Sequence, residues 1–413
     1  MGFLKTLRQR HLAVLWLGQL LSALGDQFYM TAVVWLAIKV GGSAGGVVIA
    51  AGTTSRFVFG LLGGVYADRW NRRRTMITTD IVRGLAILTI PIITQSNDPA
   101  LWHLALVAVV IGAADSLFNP ALQASLPVLV DDEQDLQSMI VLLSMTRRLA
   151  HAAGPAIFGT LAAIVPMTAF FTLDAVSFGI SAVAILSLSV KFKWQPEPQE
   201  RERNGLAGIT SEIKGAVKAV RQHKPLSLGL VTFGLGMLFW SAGFTVGVPL
   251  IVDRVLHADA TMFGFISSAY GLGNVISNVM IGNMKIKRRV LVLFAGWGVL
   301  GIGFIILAAA QNVWIAMLGA FIGAFGGPMN GIMLMLIIQT DMPSNQIGKV
   351  FSLYLLLANV GGSLGVLLAG PLFMMMSVPT GIALMGICMA ACGVVGLIQF
   401  GMEEPEILPL EST

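Results

Sequence analysis

The chain has 413 residues, of which 56% are hydrophobic and only 11% are charged. Soluble domains carry about 25% charged residues, so this composition excludes a soluble protein and indicates that lipid is the solvent. In a bilayer, only α-helices and closed β-barrels satisfy their own backbone hydrogen bonds. The apolar runs are about 20 residues long and show no strict alternation, so we predict an all-α membrane protein. The net charge of +5 comes from loops, where it indicates membrane topology and not nucleic-acid binding.

The apolar runs predict twelve transmembrane helices, at residues 12–38, 44–66, 76–95, 100–127, 137–164, 167–190, 226–251, 260–284, 289–309, 312–339, 348–376 and 379–401. A polar stretch from Lys191 to Lys224 contains eight Lys or Arg residues and divides these helices into two groups of six. We therefore predict an N-terminal six-helix bundle at 1–190, a cytoplasmic linker at 191–225 and a C-terminal six-helix bundle at 226–413.

The distribution of basic residues predicts the orientation in the membrane. Basic residues cluster in the N-terminus, the linker and the loops at 67–75 and 285–289, whereas the opposite loops hold only Lys39 and Arg254. Because basic loops remain cytoplasmic, we predict a multi-pass protein of the cell inner (plasma) membrane with both termini in the cytoplasm. Apolar residues at helical spacing in the linker predict an amphipathic helix on the inner leaflet: Leu206, Ile209, Ile213, Val217 and Val220.

Regularly spaced glycines mark two of the predicted helices. The tenth has a glycine at every fourth position: Gly319, Gly323, Gly327 and Gly331. Gly361 and Gly365 repeat this spacing in the eleventh. We predict that each set forms one helix face without side chains, at which neighbouring helices approach closely.

Ionisable residues inside predicted helices are concentrated in the first half of the chain: Asp26, Arg56, Asp80, Arg83, Asp115, Arg147, Arg148 and Asp174. The second half has none well inside a predicted helix. Such groups cost about 2.5–3.5 kcal/mol or more in lipid, so they face a cavity or a partner. The asymmetry predicts that the first bundle handles charge, and protons in particular, while the second supplies an apolar wall.

The depth of each charge in its helix suggests its role. Asp26, Arg56 and Asp115 lie near the middle, where we expect proton coupling or substrate binding. For Asp26 a permanent salt bridge with Arg56 is the alternative. Asp80 and Arg83 are three residues apart near a helix end, so we expect a local ion pair that takes part in gating.

The sequence Gly64-Val-Tyr-Ala-Asp68-Arg69-Trp-Asn71-Arg72-Arg73 resembles the loop motif of the major facilitator superfamily, G-x-x-x-D-R-x-G-R-R/K. Asn71 replaces the second glycine, and we expect it to accept a positive φ in the turn. In the fifth predicted helix, Gly154-Pro155 and Gly159 resemble the motif of antiporters in this superfamily. The candidate gating residues are Gly64, Asp68, Arg69, Arg73, Asp80, Arg83, Arg147, Gly154, Pro155 and Gly159.

Other stretches resemble the macrolide-efflux and enterobactin-exporter group of drug:proton antiporters. These include Ser22-Ala-Leu-Gly25-Asp26 and Gly348-Lys349-Val350-Phe351-Ser352. The resemblance implies the major facilitator fold, a monomer, and proton-coupled efflux of amphipathic small molecules by alternating access. It implies no cofactor and no metal, and the protein would bind its substrate, protons and the lipid bilayer.

Aromatic and methionine residues in the second half predict an adaptable cavity wall: Phe233, Met237, Trp240, Met329 and Met333. Opposite the carboxylates, this wall suits a lipophilic or macrolide-like drug. Because the first-half charges nearly cancel, export of an anionic siderophore or transport of a lysophospholipid remains an alternative.

Two other protein classes fit the sequence less well. A phosphate-binding loop with Gly-Lys-Ser/Thr is absent from the sequence, and the hydrolase-like Gly41-Gly-Ser43-Ala-Gly45 falls in a predicted loop between membrane helices. We therefore expect no enzyme activity. A channel is the other alternative, which saturable uptake would distinguish from a carrier.

Overall fold

The computed structural model describes residues 6–66, 71–95, 99–130, 132–188, 215, 217–284 and 286–400. Its α-helices are α1 Arg10–Gly41, α2 Gly46–Tyr66, α3 Arg72–Thr94, α4 Leu101–Leu129, α5 Glu133–Ala162, α6 Met167–Ser187, α7 Lys224–Trp240, α8 Val248–Arg254, α9 Ala260–Asn283, α10 Arg289–Ala308, α11 Val313–Ala324, α12 Gly326–Asp341, α13 Ser344–Met375 and α14 Val378–Phe400. A 3-10 turn, Gly42–Gly45, joins α1 to α2, and a π-helical turn, Ser241–Gly247, joins α7 to α8.

The helices have the lengths and surfaces of membrane helices. Within the described ranges, nine stretches are long and apolar enough to cross a bilayer, and the first of them, Arg10–Gly60, combines α1 with most of α2. Large apolar side chains are exposed on several helices, among them Trp102 at 70%, Ile164 at 77% and Trp314 at 77%. Lipid is the solvent that such surfaces require. The prediction of a helical membrane protein is confirmed, and the number twelve stays a prediction.

Polar side chains set where several helices begin. The Asn71 side chain accepts a hydrogen bond from the backbone N–H of Arg74 at 3.1 Å, and Asp132 and Asn312 cap α5 and α11 in the same way. Asn71 has a φ of −66°. The expectation of a positive φ at Asn71 was therefore wrong: this residue suits its position because Asn is a good N-cap, whose side chain satisfies a free N–H in the first helical turn.

The chain divides into two compact units. Unit 1 comprises Met1–Arg203 together with Val248–Ser268, and unit 2 comprises Asn204–Gly247 together with Ala269–Thr413. One end of unit 1 has an apolar core to which α1, α3, α4, α5 and α6 contribute: Leu12, Leu15, Met76, Phe118, Leu122, Leu126, Leu129, Met139, Leu143 and Ile185.

Unit 1 includes a segment from the second half of the sequence, Val248–Ser268, which contacts α1. Lys39 Nζ at the end of α1 donates a hydrogen bond to Asp253 Oδ1 at 2.6 Å. The ring of Trp35 stacks on Phe263 with centroids 5.8 Å apart. An ion pair and an aromatic contact thus hold this segment to α1.

Glycine contacts agree with the prediction of close helix packing at some positions and not at others. A Cβ on Gly319 would lie 2.7 Å from the backbone nitrogen of Leu307, so α11 packs tightly on α10. A Cβ on Gly331 would meet nothing within 4 Å. The predicted close packing is therefore confirmed at Gly319 and was wrong at Gly331, which has no neighbouring helix against its face among the described residues. The prediction is confirmed for α13, where Gly361 packs directly on α7.

Candidate transport site

Four charged side chains of unit 1 form one network across three helices. Asp115 Oδ2 on α4 lies 3.0 Å from Arg56 Nε on α2, and Asp115 Oδ1 lies 3.6 Å from a terminal guanidinium nitrogen of Arg83 on α3. Arg83 also pairs with Asp80, one turn earlier on α3. The local pair predicted from the three-residue spacing is confirmed. Arg56 forms its ion pair with Asp115. A salt bridge between Arg56 and Asp26 was the alternative role for Asp26 in the sequence analysis.

Arg83 is enclosed almost completely by its neighbours. Its side chain is 2% exposed, and its guanidinium carbon lies 4.5 Å from the ring centre of Phe118 and 4.2 Å from that of Phe178. Asp80 is fully buried. Two carboxylates and two aromatic faces therefore offset the cost of removing the guanidinium from water. The two rings could not be assigned from the sequence, because both lie on other helices.

Asn119 links the network to α5. Its side-chain amide donates a hydrogen bond to Asp115 Oδ1 at 3.0 Å, and its oxygen accepts one from an Nη of Arg147 at 3.0 Å. Arg147 was a predicted gating residue, but Asn119 was not among the predicted site residues. The spacing of four residues from Asp115 to Asn119 on one helix was the signal that could have identified it.

Two carboxylates lie where α1 and α6 meet. Gly25 packs directly on Asp174 and Ser177, since a Cβ at Gly25 would lie 3.1 Å from the Cα of Asp174. The Ser177 hydroxyl donates a hydrogen bond to the Asp174 backbone oxygen at 2.8 Å and lies 3.3 Å from its carboxylate. Asp26 follows Gly25 and is partly buried, and the arginines and Asp115 of the network act on it electrostatically.

A small cleft opens between α1, α2 and α4 beside this network. Arg56 lines it, with 52% of its side chain exposed. Tyr29 lines it from α1, and its hydroxyl is buried without a hydrogen-bond partner among the described residues. The remaining walls are mostly apolar and include Val33, Val48 and Ile111. The sequence did not reveal this cleft, because three separate helices contribute to it.

The Gly154-Pro155 and Gly159 motif lies in closely packed parts of α5. A Cβ at Gly154 would lie 2.5 Å from the Cβ of Gln27 on α1. A Cβ at Gly159 would lie 3.1 Å from the Cα of Gly264 in α9. These glycines let α5 approach both neighbours within unit 1, and their predicted role in gating stays a prediction.

Two residues of the predicted wall in unit 2 are buried in this structure. Phe233 is 7% exposed and stacks on Tyr354 with centroids 4.6 Å apart. Met333 is only 2% exposed. Both side chains pack in the interior of the unit, and their place in a cavity wall stays a prediction.

The other three wall residues, Met237, Trp240 and Met329, are partly exposed. Trp240 Nε1 donates a hydrogen bond to the Tyr270 hydroxyl at 2.8 Å. The Trp240 ring is stacked on Phe244, whose centroid lies 4.2 Å from that of Tyr270. These three rings form an aromatic cluster within unit 2, in which Trp240 was a predicted wall residue and Tyr270 was not.

The loop motif is described only in part. Asp68, Arg69 and most of the linker lie outside the described residues, and so does most of the predicted amphipathic helix. Gly64 falls within α2. Arg73 donates hydrogen bonds to the backbone oxygens of Ile185 at 3.4 Å and Leu186 at 2.6 Å, so it caps the C-terminal end of α6.

The ion pairs found in the described part of unit 2 lie at helix ends. Asp341, the last residue of α12, is 3.3 Å from His223 Nε2 and 3.9 Å from a guanidinium nitrogen of Arg289. The sequence analysis did not identify this pairing, because the three residues come from distant parts of the chain.

A family model described as "Transmembrane secretion effector", of the MFS (major facilitator superfamily) type, matches residues 2–411. The chain belongs to this transporter family. The superfamily inferred from the loop motif is therefore confirmed, and the protein is a transporter and not an enzyme.

Three relatives in bacteria indicate what such transporters do. The "Uncharacterized MFS-type transporter YfiS" of Bacillus subtilis is 24% identical, over 94% of this chain and 93% of its own. The "Multidrug efflux pump Tap" of Mycobacterium tuberculosis is 25% identical, over 86% of this chain and 84% of its own. The "Enterobactin exporter EntS" of Escherichia coli is 27% identical, over 86% of this chain and 84% of its own.

Solved structures show the same fold. An auto-inhibited peptide transporter of the POT family has a TM-score of 0.71 at 12% identity, covering 95% of this chain and 97% of that chain. The POT family transporter PepTSo has a TM-score of 0.69 at 12% identity, covering 94% of this chain and 97% of its own. The transporter therefore has the helical fold of these carriers and is a multi-pass membrane protein. At this identity the likeness concerns the fold alone.

Proposed function

We propose that this transporter exports amphipathic or lipophilic compounds of the multidrug or macrolide type and is driven by protons through alternating access. The proposal includes twelve spans in two six-helix bundles, a cytoplasmic linker at 191–225, cytoplasmic termini in the plasma membrane and a monomeric state. The efflux relatives support export, and the charge network of unit 1 supports proton coupling.

The observation that carries the proposal is the sharing of Asp115 by two arginines. Its carboxylate pairs with Arg56 through one oxygen and approaches Arg83 with the other. A proton on Asp115 would remove the charge that holds both guanidinium groups. Arg83 would keep Asp80, whereas Arg56, which is half exposed, would be released. Proton binding thus has a route to rearrange α2 relative to α4.

Asp26 is the second candidate for coupling. It lies on α1 beside Gly25, where α1 and α6 are in direct contact, and the network acts on it electrostatically. Desolvation disfavours the charged form of a carboxylate, so alternating exposure to the two sides would let Asp26 bind and release a proton. Asp174, buried and hydrogen-bonded to Ser177, we propose as a structural anchor.

The test uses the full chain in proteoliposomes with a pH-sensitive dye inside, to which tetraphenylphosphonium is added as the lipophilic cation. We expect substrate-triggered proton movement in the wild type and its loss in Asp26→Asn or Asp115→Asn. Asp259→Asn is the matched control, because Asp259 is an exposed helix cap and Asn caps equally well. Proton movement that persists when both Asp26 and Asp115 are replaced would rule out this coupling mechanism.

Export of an anionic siderophore, or transport of a lysophospholipid, is the second candidate function. It is favoured by the half-exposed guanidinium of Arg56 in the unit 1 cleft. If transport is lost in Arg56→Gln but retained in Asp26→Asn, the anionic substrate is preferred. Saturable uptake driven by the gradient, without ohmic current, separates either carrier from a channel.

A further inference from the structure

The cleft between α1, α2 and α4 has the chemistry of a binding site for a head group. Among its lining residues, Arg56 is the one that carries a charge. Most of the others are aliphatic, and at Gly52 and Gly112 helices α2 and α4 pack directly on each other, since a Cβ at Gly112 would lie 3.1 Å from the Arg56 backbone nitrogen. A site with one cation in an apolar surround fits a molecule that has one polar end and an apolar body.

Hydrogen-bond donors without a full set of partners lie beside this cleft. Tyr29 is 3% exposed, and its hydroxyl has no hydrogen-bond partner among the residues that the structure describes. The Thr53 hydroxyl already donates to the backbone oxygen of Ile49 at 2.9 Å. Arg56 offers five N–H donors in a planar fork, and Asp115 approaches it at Nε, 3.0 Å away. A ligand that supplies acceptors would therefore satisfy Tyr29 and the rest of the Arg56 fork together.

We propose that this cleft binds an acidic head group of an amphiphile, a carboxylate or a phosphate, between the Tyr29 hydroxyl and the Arg56 guanidinium. The ligand's apolar chain lies against the aliphatic wall of α2 and α4. The inference rests on the proposed function in one respect: it takes the transported amphiphile, and not a permanently bound lipid, to be the occupant. Binding of this kind would favour the second candidate function, transport of an acidic amphiphile, over the export of a lipophilic cation.

Two carboxylates near the cleft should act against the binding of an acidic head group. Asp26 and Asp174 act electrostatically on the Tyr29 hydroxyl, although neither lines the cleft. Both oppose an acidic head group and favour a cationic one. Replacing Asp26 by Asn should therefore tighten the binding of an acid and weaken the binding of a cation.

The experiment measures binding to the full chain in nanodiscs of phosphatidylcholine. The probes are dansyl-labelled undecanoic acid and its methyl ester, and the signal is energy transfer from the protein's tryptophans to the dansyl group. We expect the acid to bind about tenfold more tightly than the ester in the wild type, as befits a hydrogen-bonded ion pair. Arg56→Gln should remove this preference, and Arg56→Lys should restore part of it, because Lys keeps the charge but loses the fork.

Two further variants test the geometry. Tyr29→Phe removes one hydroxyl and should weaken acid binding about fivefold. Arg10→Gln, which removes a charge from an exposed position at the start of α1, should leave the acid-to-ester ratio unchanged. Equal affinities for acid and ester in the wild type, or a preference that survives Arg56→Gln, would overturn the proposal.

Adding phosphatidylglycerol to the nanodiscs identifies the source of the acidic group. Arg56-dependent displacement of the probe by this lipid would overturn the substrate assignment and make the cleft a lipid site. Arg56-dependent export of the labelled acid from proteoliposomes would support the assignment. If the acid binds as expected but no substrate moves protons, the head-group site stands and the proton-coupled function fails.

Discussion

Arg83 and Asp80 form a buried ion pair whose two members should not be equally important. Arg83 contacts two carboxylates and two aromatic rings, whereas the Asp80 carboxylate is paired with Arg83. In Arg83→Met, Asp80 remains fully buried without that partner, and removing one member of a buried pair costs about 3–5 kcal/mol. In Asp80→Asn, Arg83 still has Asp115 at 3.6 Å, so we expect a smaller loss of about 1–3 kcal/mol.

Thermal unfolding of the two variants in nanodiscs measures this difference, with wild type and the double variant completing the cycle. Because Arg83→Met already removes the pair, adding Asp80→Asn should recover part of the lost stability instead of lowering it further. The Asn side chain would no longer be a buried charge without a partner. An Asp80→Asn variant less stable than Arg83→Met, or costs that simply add in the double variant, would refute the inference that Arg83 is held by two carboxylates.

Two further predictions concern helix contacts in unit 1. Gly25→Ala should lower the free energy of unfolding by about 1–3 kcal/mol, because the new methyl group would overlap Asp174. Gly179→Ala should be neutral or slightly stabilising, since a Cβ there meets nothing within 4 Å. Thermal unfolding measures both variants, and equal losses of stability would contradict this account. Lys39→Glu and Asp253→Lys should each reduce the transport rate by no more than severalfold, and the double variant should recover it. The pair at 2.6 Å is partly exposed, and exposed pairs contribute about 0.2–1 kcal/mol. A double variant no better than the worse single one would show that this ion pair has no role in transport.

The sequence predicted the helices well, because the length and polarity of apolar runs are set by the bilayer itself. It also predicted the Asp80–Arg83 pair, since a spacing of three residues places two side chains on one helix face. The charged partners of Asp115 could not be predicted in this way. Arg56 and Arg83 reach it from α2 and α3, and only the packing of these helices determines which charges meet.

The faces of the helices were the least predictable feature. In a soluble protein, polar residues mark the surface, but lipid is as apolar as the packed interior, so an apolar side chain gives no sign of which way it points. Phe233 and Met333 were predicted to line a cavity and are buried in unit 2, while Tyr270, which the prediction omitted, joins the aromatic cluster with Trp240. A polar atom on an aromatic side chain was the better guide to its surroundings, because a buried polar atom needs a hydrogen-bond partner.

Arg56 connects the two proposals for this transporter. Its Nε pairs with Asp115, and the exposed part of its side chain lines the cleft beside Tyr29. An acidic ligand in the cleft and the carboxylate of Asp115 would compete for the same guanidinium group. Asp115→Asn removes this competitor, so it should tighten the binding of the acidic probe to Arg56 in nanodiscs. An unchanged affinity would show that the ligand and Asp115 do not compete for the guanidinium group.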